Sequence, residues 1–393
     1  MNILILTDYY PPDKLGGVGE IAKNLKLAYD AKGHDVWVLT TGESATTERV
    51  VRSSKSLIKG VLLNNLHAIK LIRRHKIDVI NAHQSTTTLF LLTKHVPFLY
   101  PGGFPKVINS FQVSYFEEFK NIRSIKVRDR KYSPTRKEYI EKWILSPMHI
   151  FLDLIGFIFS SEITVVSSEN KKEFERTYGR ISRKKIKIIP NGISSSDFKP
   201  MKPKLDKKYL ERLKGNTVLL YVGVFRVRKR VFNLLYALAE IARDNPDVIL
   251  VLVGGGRDYE DDIMSLIDEL GIKKNVLFVG RVPNEKVVHY LNSADVFCLL
   301  SSYEGMPIAI LEAMSSGKAV LTSRVSGMID LIEDGKTGYL TEVDGIDEIS
   351  EKLSLLVNDA EMTKTLGKNA RQSILEKYEW SDIADRYIEL FKS

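Results

Sequence analysis

The amino-acid sequence predicts an α/β protein with two doubly wound, Rossmann-like domains. Apolar strands alternate with amphipathic helices along the chain, and this alternation restarts once, near residue 215. Runs rich in Val, Ile and Leu, such as residues 3–7 and 79–82, are typical of parallel strands that are covered on both faces. A chain of 393 residues is also longer than a single hydrophobic core usually serves. In such sheets, ligands bind beyond the carboxyl ends of the strands.

The positions of the individual strands and helices are predicted from the spacing of apolar residues and from the glycines and prolines at which these elements end. In the first half, strands are predicted at 3–7, 35–39, 79–82, 106–111 and 163–166, with helices after residue 20, around 62–75 and at 143–160. After Pro190-Asn191-Gly192, strands are predicted at 218–222, 248–253, 276–279, 296–300 and 319–322, with helices at 231–243, 259–270, 284–293 and 307–316. Residues 197–214, rich in Lys and Pro, are predicted to be the linker between the domains.

Cysteine content and hydropathy indicate a cytoplasmic protein. The chain has one cysteine, Cys298, within the apolar run 296–300, so it forms no internal disulfide and is predicted to be a buried, inert thiol. The first residues lack the basic leader of a secretory signal. The most apolar stretch, residues 143–160, is interrupted by Pro147, His149 and Asp153. It is therefore predicted to be a buried or interfacial helix and not a membrane span.

The net charge of +9 is unevenly distributed. Residues 1–200 hold 32 Lys and Arg against 19 Asp and Glu, whereas the remainder holds 26 against 30. The basic half is predicted to meet an anionic partner, either a membrane surface or a phosphorylated acceptor, with ordinary solvated lysines as the alternative. Nucleic acid is not expected, because no recognition motif accompanies the charge.

A basic, aromatic insert at residues 112–142 stands out within this half. Its cations are Lys120, Arg123, Lys126, Arg128, Arg130, Lys131, Arg136, Lys137 and Lys142, and its aromatic residues include Phe116, Phe119, Tyr132 and Tyr139. Such a segment can lie on anionic lipid headgroups, which would make the protein peripheral on the inner face of the membrane. A flexible acceptor-binding loop with solvated charges is the alternative.

The segment 304–314 (EGMPIAILEAM) carries the clearest functional signal. It follows an apolar strand and opens a helix, with Pro307 suited to the first turn. The unpaired N–H groups and the dipole of a helix start can bind an anion, and Gly305 lets a ligand approach the backbone. Glu304 lies before this helix and Glu312 about two turns inside it, so both carboxylates can reach hydroxyl groups of one ligand. Two solvated glutamates are the alternative, but Glu312 on an apolar helix would be costly to bury without a partner.

Three weaker motifs accompany this segment. Gly16-Gly17-Val18-Gly19 follows the first strand and can approach a phosphate or sugar, although a plain tight turn explains it equally well. The cations of residues 226–230 (RVRKR) follow the strand at 218–222 and are predicted to face a departing diphosphate, with a solvated basic turn as the alternative. The acidic residues of the run 258–262 are interpreted as favourable charges at the start of a helix and not as metal ligands.

Taken together, these motifs resemble the family 4 glycosyltransferases, retaining enzymes with the GT-B fold. The resemblance rests on the Gly16-Gly17-x-Gly19 loop with 33–36 (GHDV), 189–193 (IPNGI), 252–256 (LVGGG), 279–282 (VGRV), the Glu304-x7-Glu312 pair, and 334–339 (DGKTGY). The glutamate pair in this context is highly specific. Each of the other motifs is weak evidence by itself, but together they match the family pattern along nearly the whole chain.

The resemblance implies a domain plan and a set of site residues. It implies an acceptor-binding domain at 1–196, a donor-binding domain at 197–375 and a helix at 376–393 that crosses back to the first domain. Glu304 would contact the transferred sugar and Glu312 the ribose, while Lys229 and an arginine would stabilise the diphosphate. The implied donor-binding set is Gly16, Gly17, Arg228, Gly254, Arg281, Val282, Gly305, Met306, Pro307, Ile308 and Glu312. No metal is expected, and the donor is a nucleotide-diphosphate sugar.

Two positions depart from the family pattern. Val224 stands where an arginine is usual, and Arg226 or Arg228 could supply that charge. Gln112 follows the strand at 106–111 where a histidine is usual near the reacting centre.

The predicted function is therefore transfer of a sugar to a hydroxyl acceptor, with a lipid-linked saccharide or polysaccharide precursor preferred. Two alternatives remain: a non-catalytic sugar-nucleotide-binding subunit, and a nucleotide-sugar epimerase with His83 as its candidate acid or base. A glycoside hydrolase is disfavoured, because its two carboxylates must flank the sugar at a set separation.

Overall fold

The structure, a computed structural model, describes residues 1–12, 17–42, 47, 49–53, 57–83, 88–100, 102–179 and 186–393. It divides into two compact units. Unit 1 comprises Met1–Phe119, Glu141–Gly192 and Trp380–Ser393, and unit 2 comprises Lys120–Ile140 and Ile193–Glu379. Each unit contains one parallel sheet, which confirms the predicted fold class of two Rossmann-like domains.

The bounds of the elements are as follows. The strands are β1 (Asn2–Thr7), β2 (Asp35–Thr41), β3 (Val50–Ser53), β4 (Val79–His83), β5 (Lys106–Phe111), β6 (Ile125–Val127), β7 (Arg130–Tyr132), β8 (Glu162–Val165), β9 (Ile186–Ile188), β10 (Thr217–Val224), β11 (Val248–Gly255), β12 (Val276–Gly280), β13 (Val296–Leu299), β14 (Ala319–Ser323) and β15 (Gly338–Thr341). The α-helices are α1 (Gly17–Ala31), α2 (Leu57–His75), α3 (Tyr115–Asn121), α4 (Arg136–Ile140), α5 (Ser146–Phe159), α6 (Ser168–Tyr178), α7 (Lys207–Leu213), α8 (Val231–Ile241), α9 (Arg257–Glu269), α10 (Asn284–Ser293), α11 (Ile308–Ser315), α12 (Ser326–Leu331), α13 (Ile346–Asn358), α14 (Ala360–Lys377) and α15 (Trp380–Lys392). Short 3-10 segments span Leu89–Thr93, Pro97–Leu99, Val227–Lys229 and Lys273–Asn275, and a π-helical turn spans Glu141–Leu145.

The sheet of unit 1 has the strand order β3-β2-β1-β4-β5-β8-β9, with every pair parallel. Its centre is apolar, and a polar network crosses it in the buried interior. Asn81 accepts a hydrogen bond from the Tyr29 hydroxyl at 3.0 Å and donates to Ser110 Oγ at 3.1 Å. The Tyr387 hydroxyl on α15 donates to the same Ser110 oxygen at 3.1 Å, so the C-terminal helix is anchored on this sheet.

The sheet of unit 2 has the order β12-β11-β10-β13-β14-β15 and is also parallel throughout. Its central strands are almost wholly buried, and Cys298 on β13 has no exposed surface, which confirms the predicted buried thiol. Burial raises the pKa of this thiol, which keeps it protonated. Residues 197–214, predicted to be a linker, lie within unit 2, where α7 forms.

The central part of the insert packs on unit 2, whereas the sequence placed the whole insert in the first domain. β6 and β7 form an antiparallel ribbon, and the Tyr132 ring stacks on Phe232 with centroids 3.7 Å apart. Arg128 contacts Glu240 at 2.6 Å, and Arg130 pairs with Glu269. The physical reason is that the ribbon's apolar face and two of its arginines find partners on unit 2.

The helical stretch Arg136–Phe159 is long and apolar enough, by length and composition alone, to cross a membrane, and 33% of its most apolar window is buried. Within it, α5 packs closely against the sheet of unit 1. A side chain at Gly156 would bring its Cβ within 2.1 Å of Asn109 Nδ2, and Phe157 has no exposed surface. This inner face belongs to the core of unit 1.

Candidate functional site

The turn between β13 and α11 holds the predicted glutamate pair. Glu304, Gly305 and Met306 are all buried in this turn, and α11 begins at Ile308 directly after Pro307. Glu312 is buried on α11, one turn inside the helix and not two, because the helix begins four residues later than Glu304.

Two cations and a hydroxyl hold the Glu304 carboxylate. Lys229 Nζ lies 2.5 Å and Arg228 Nη1 2.6 Å from Glu304 Oε1, and Ser301 Oγ donates to the same oxygen at 2.8 Å. Glu304 is 8% exposed. Among the described residues, every contact recorded for this carboxylate ends on Oε1.

The electrostatics of the site keep Glu304 ionised. Burial alone would raise the pKa of Glu304, but the charges of Arg228 and Lys229 and the hydrogen bonds from Lys229 and Ser301 outweigh it and lower the pKa to about 2. Burial lowers the pKa of Lys229, and the adjacent Glu304 charge opposes that shift. We take the pair as an ion pair, because Glu304 has two cationic partners.

The four cations of residues 226–230 divide among three carboxylates. Arg228 and Lys229 reach Glu304, as described above. Arg226 Nε instead lies 3.9 Å from Glu138 Oε1 on the insert. Arg230, in the left-handed conformation with φ of 47°, places its Nε 2.8 Å from Asp344 Oδ1. The turn thus directs two of the four cations to Glu304 and the other two to different carboxylates.

Backbone contacts join the two loops that carry Glu304 and Arg228. The Ser302 amide donates to the Arg228 carbonyl at 2.8 Å, and Ser301 Oγ lies 3.1 Å from the same carbonyl oxygen. Arg228 in turn donates to the Tyr303 carbonyl at 3.1 Å. Ser301 was missed in the sequence, although its place at the end of an apolar strand three residues before Glu304 could have indicated it.

The glycines at the end of β11 have a structural role of their own. Gly254 has φ of +133°, and a Cβ there would lie 1.8 Å from the Gly223 carbonyl oxygen on the neighbouring strand. Glycine is required at this position by strand packing, whether or not a ligand is present. Arg281 is exposed beside Gly255, where a Cβ would lie 3.3 Å from its side chain, and Val282 is half-buried.

Gly327 is a second residue that the sequence did not reveal. At this position a Cβ would lie 1.9 Å from the Gly305 carbonyl oxygen, so the first turn of α12 packs directly on the turn that carries Glu304. The adjacent Ser326 adopts φ of 39°, an uncommon value for a residue with a side chain. The close approach supports the backbone of Gly305 and Met306.

The remaining predicted residues belong to unit 1 or lie outside the described part of the chain. Gly17 begins α1 and is thus helical, while Gly16 is outside the described residues. Gln112 is buried after β5, and its Oε1 accepts from Asn191 Nδ2 at 2.9 Å. Its Nε2 is buried without a hydrogen-bond partner among the described residues.

His83, the candidate acid or base of the epimerase alternative, is fully buried at the end of β4. Its Nε2 lies 2.9 Å from Asn81 Oδ1, and burial lowers its pKa to about 3. A neutral, enclosed imidazole is poorly suited to exchange protons with a substrate, which weighs against the epimerase.

In the described part of the chain, no group of three His, Cys, Asp or Glu side chains is arranged to hold a metal ion.

Two family models match consecutive parts of the chain. Residues 15–197 match Glycosyltransferase Family 4, and residues 202–373 match Glycosyl transferases group 1. The protein is 24% identical to alpha-maltose-1-phosphate synthase of Mycolicibacterium smegmatis, over 100% of this chain and 99% of that protein. It is 26% identical to the Escherichia coli UDP-Gal:alpha-D-GlcNAc-diphosphoundecaprenol alpha-1,3-galactosyltransferase, over 87% of this chain and 80% of that protein.

The fold comparison agrees with the sequence comparison. The crystal structure of HepE from Anabaena, in complex with UDP and glucose, superposes with a TM-score of 0.74 at 18% identity, covering 100% of this chain and 99% of that chain. At this identity the similarity establishes the GT-B fold. Because the two family models together match nearly the whole chain, the protein belongs to the family 4 glycosyltransferases.

Proposed function

We propose that the protein is a retaining, metal-independent hexosyltransferase that moves a sugar from a nucleotide-diphosphate donor to a hydroxyl of a lipid-linked saccharide or polysaccharide precursor. One observation carries the proposal: Glu304 is buried beside Arg228 and Lys229 before α11, and among the described residues its partners all contact Oε1. A glutamate held in this way is rigid and ionised, and it can still accept hydrogen bonds from a sugar.

The same cluster suits departure of a diphosphate. When the anomeric C–O bond to the donor phosphate breaks, negative charge develops on the leaving oxygen and positive charge on the sugar. Lys229 and Arg228 would stabilise the leaving group, together with the N–H groups and the dipole at the start of α11. The anionic Glu304 would stabilise the sugar. Preorganised donors of this kind are typically worth about 2.7–4 kcal/mol each.

The bond changes preserve the anomeric configuration. The acceptor hydroxyl oxygen forms its new bond to the anomeric carbon on the face from which the diphosphate departs. Its proton passes to the leaving phosphate oxygen, so no protein base is required. This fits the electrostatics of Glu304, whose pKa of about 2 makes it a poor proton acceptor near neutral pH.

The acceptor and the compartment are inferred from two further observations. The Escherichia coli relative is named for a diphosphoundecaprenol-linked acceptor, which favours a lipid-linked saccharide here. The single buried cysteine is typical of a reducing compartment, so we place the protein in the cytoplasm.

A non-catalytic sugar-nucleotide-binding subunit is the second candidate, because Val224 is 47% exposed where the family usually has an arginine. The contact of Arg228 with Glu304 favours the catalytic alternative, because Arg228 brings a guanidinium to the site from a position four residues after Val224.

A donor screen tests the proposal. Nucleotide release would be measured with UDP-, GDP- and ADP-sugars, with and without lipid extract, and nuclear magnetic resonance of the product would give the anomeric configuration. Glu304→Gln should abolish release, whereas Glu333→Gln, at an exposed carboxylate paired with Lys336, should not change it. A product with inverted anomeric configuration would contradict the proposed mechanism. Loss of nucleotide release on adding a metal chelator would also contradict it. If a donor binds but no nucleotide is released under any condition, the result would favour the non-catalytic sugar-nucleotide-binding subunit.

A further inference from the structure

Unit 1 contains a long stretch that is almost free of acidic residues. Residues 49–116 hold ten Lys and Arg against one acidic residue, Asp78. This stretch alone accounts for a charge equal to the +9 of the whole chain. Much of the charge asymmetry of the protein thus lies in this stretch, which ends at the beginning of the insert.

Part of this stretch packs beside α5. α2 and α5 both pack against the 3-10 segment Leu89–Thr93. The Phe90 amide donates to Asn65 Oδ1 of α2 at 2.6 Å, and the Thr88 hydroxyl lies 3.5 Å from the Leu152 carbonyl of α5. Ala68, Leu71 and Phe90 lie in one core cluster beneath. The π-helical turn Glu141–Leu145 continues directly into α5, and the exposed Ile144 precedes the exposed Phe151 by seven residues, about two helical turns, so the two lie along one side of this helix.

The outer side of this surface combines apolar and basic side chains, and we call it the basic apolar face. Its exposed apolar residues are Leu63, Leu66, Leu92, Phe98, Trp143, Ile144 and Phe151. Its exposed cations are Lys70, Arg73, Arg74 and Lys94. On α2 the spacing of Leu63, Leu66 and Lys70 places them along one side of the helix. In the described part of the chain, no ion pair involves any of these four cations.

The chemistry of the face matches an anionic bilayer surface. Large apolar side chains, including a tryptophan, enter the headgroup region, while lysines and arginines on the same elements meet lipid phosphates. A protein partner of opposite charge would need to supply both an apolar surface and several carboxylates. An anionic bilayer provides both an apolar interior and negative charge across its whole surface.

The insert is less suited to this role than its composition suggests. Arg128 and Arg130 are paired with carboxylates of unit 2, and Tyr132 is buried against Phe232. α5 is also unsuited to crossing the bilayer as the protein is folded, since its inner face packs on Asn109 and contributes Phe157 to the core.

We propose that the basic apolar face binds the protein peripherally to anionic membranes. This inference deepens the proposed function, because it would bring the enzyme to the surface where a lipid-linked acceptor resides. The binding itself does not depend on catalysis. The two can therefore fail separately.

Trp143 is a built-in reporter for the test. It is 64% exposed, whereas the other two tryptophans, Trp37 and Trp380, are 9% and 7% exposed. The emission of the full chain would be recorded with vesicles of phosphatidylcholine alone and with vesicles containing equal parts of phosphatidylglycerol. We expect a blue shift and reduced quenching by iodide with the anionic vesicles. Trp143→Phe should remove this signal while the protein still sediments with vesicles.

Charge variants then locate the surface. Lys70→Gln/Arg73→Gln/Arg74→Gln should weaken sedimentation with anionic vesicles about a hundredfold, since each cation near an anionic surface contributes about tenfold or less. Phe151→Ser should also weaken it. The matched control is Arg123→Gln/Lys126→Gln/Lys131→Gln on the insert, which removes three exposed cations and should leave binding within about threefold.

Three outcomes would overturn the inference. The first is an unchanged Trp143 emission with anionic vesicles at low salt. The second is a greater loss of binding in the insert triple variant than in the α2 triple variant. The third is a stable dimer in which Trp143 is already protected from iodide. Circular dichroism of each variant checks folding. Nucleotide release with a water-soluble acceptor, measured in parallel, shows whether the transferase proposal stands independently.

Discussion

The Arg228 guanidinium lies 2.6 Å from the Glu304 carboxylate, although the two residues are 76 positions apart in the chain. Lys229 contacts the same oxygen, so two consecutive residues of one loop neutralise one buried glutamate. Because removal of one member leaves a buried charge without its full complement, this cluster should be sensitive to single substitutions.

Arg228→Gln should lower kcat/KM for the donor by about a hundredfold to a thousandfold, the usual effect of removing one preorganised charge-stabilising donor. Steady-state nucleotide release, once a donor is identified, measures this effect. Arg226→Gln is the matched control, because Arg226 faces Glu138 at 3.9 Å. We expect a loss of less than tenfold there. Equal losses in the two variants would show that Arg228 has no special role.

Gly254→Ala should destabilise the protein by more than about 3 kcal/mol, because a Cβ would lie 1.8 Å from the Gly223 carbonyl oxygen. Gly215→Ala separates this clash from the conformational cost. Gly215 also has a positive φ, of +78°, but no atom lies within 4 Å of its added Cβ. It should cost about 1–2 kcal/mol. Urea unfolding of both variants measures the difference, and similar values would contradict the packing argument.

His83 should make the stability of the protein depend on pH. Burial lowers its pKa from 6.5 to about 3, so the unfolded chain binds a proton that the native protein excludes. The free energy of unfolding should therefore decrease as pH falls from about 6.5 towards 3, by at most about 1.4 kcal/mol per pH unit from this residue.

A variant without the titrating ring isolates this contribution. The free energy of unfolding of His83→Asn, measured by urea titration at several pH values, should decrease less steeply on acidification than that of the original protein. Parallel pH dependences would mean that His83 is protonated in the native state or is not buried.

Tyr132→Ala should release the insert from unit 2, because it removes the ring that stacks on Phe232 at 3.7 Å. Loss of a buried aromatic side chain typically costs about 3–5 kcal/mol. The expected result is faster cleavage by trypsin at the arginines of residues 123–136, followed by mass spectrometry. Lys131→Ala, at the exposed neighbouring position, should leave the rate of cleavage elsewhere in the insert unchanged.

Much of the fold could be predicted from local patterns. Apolar runs located the central strands of both sheets within one or two residues, because a buried parallel strand needs a nearly continuous apolar sequence. Shorter or polar elements were missed: β3, β9, β15 and the β6–β7 ribbon have too few residues to display a period. The linker expectation was also misplaced, since a Lys- and Pro-rich composition did not reveal that α7 packs within unit 2.

Local patterns were sufficient to predict the two α/β domains, the family and Glu304 as a candidate site residue, because periodicity and short motifs depend on neighbouring residues. The tertiary structure decided which partners those residues have. Nothing in the sequence separates Arg228, which meets Glu304, from Arg226 and Arg230, which meet Glu138 and Asp344. Such assignments depend on which side chains are buried together when distant segments pack, and a linear pattern of charges carries no information about that burial.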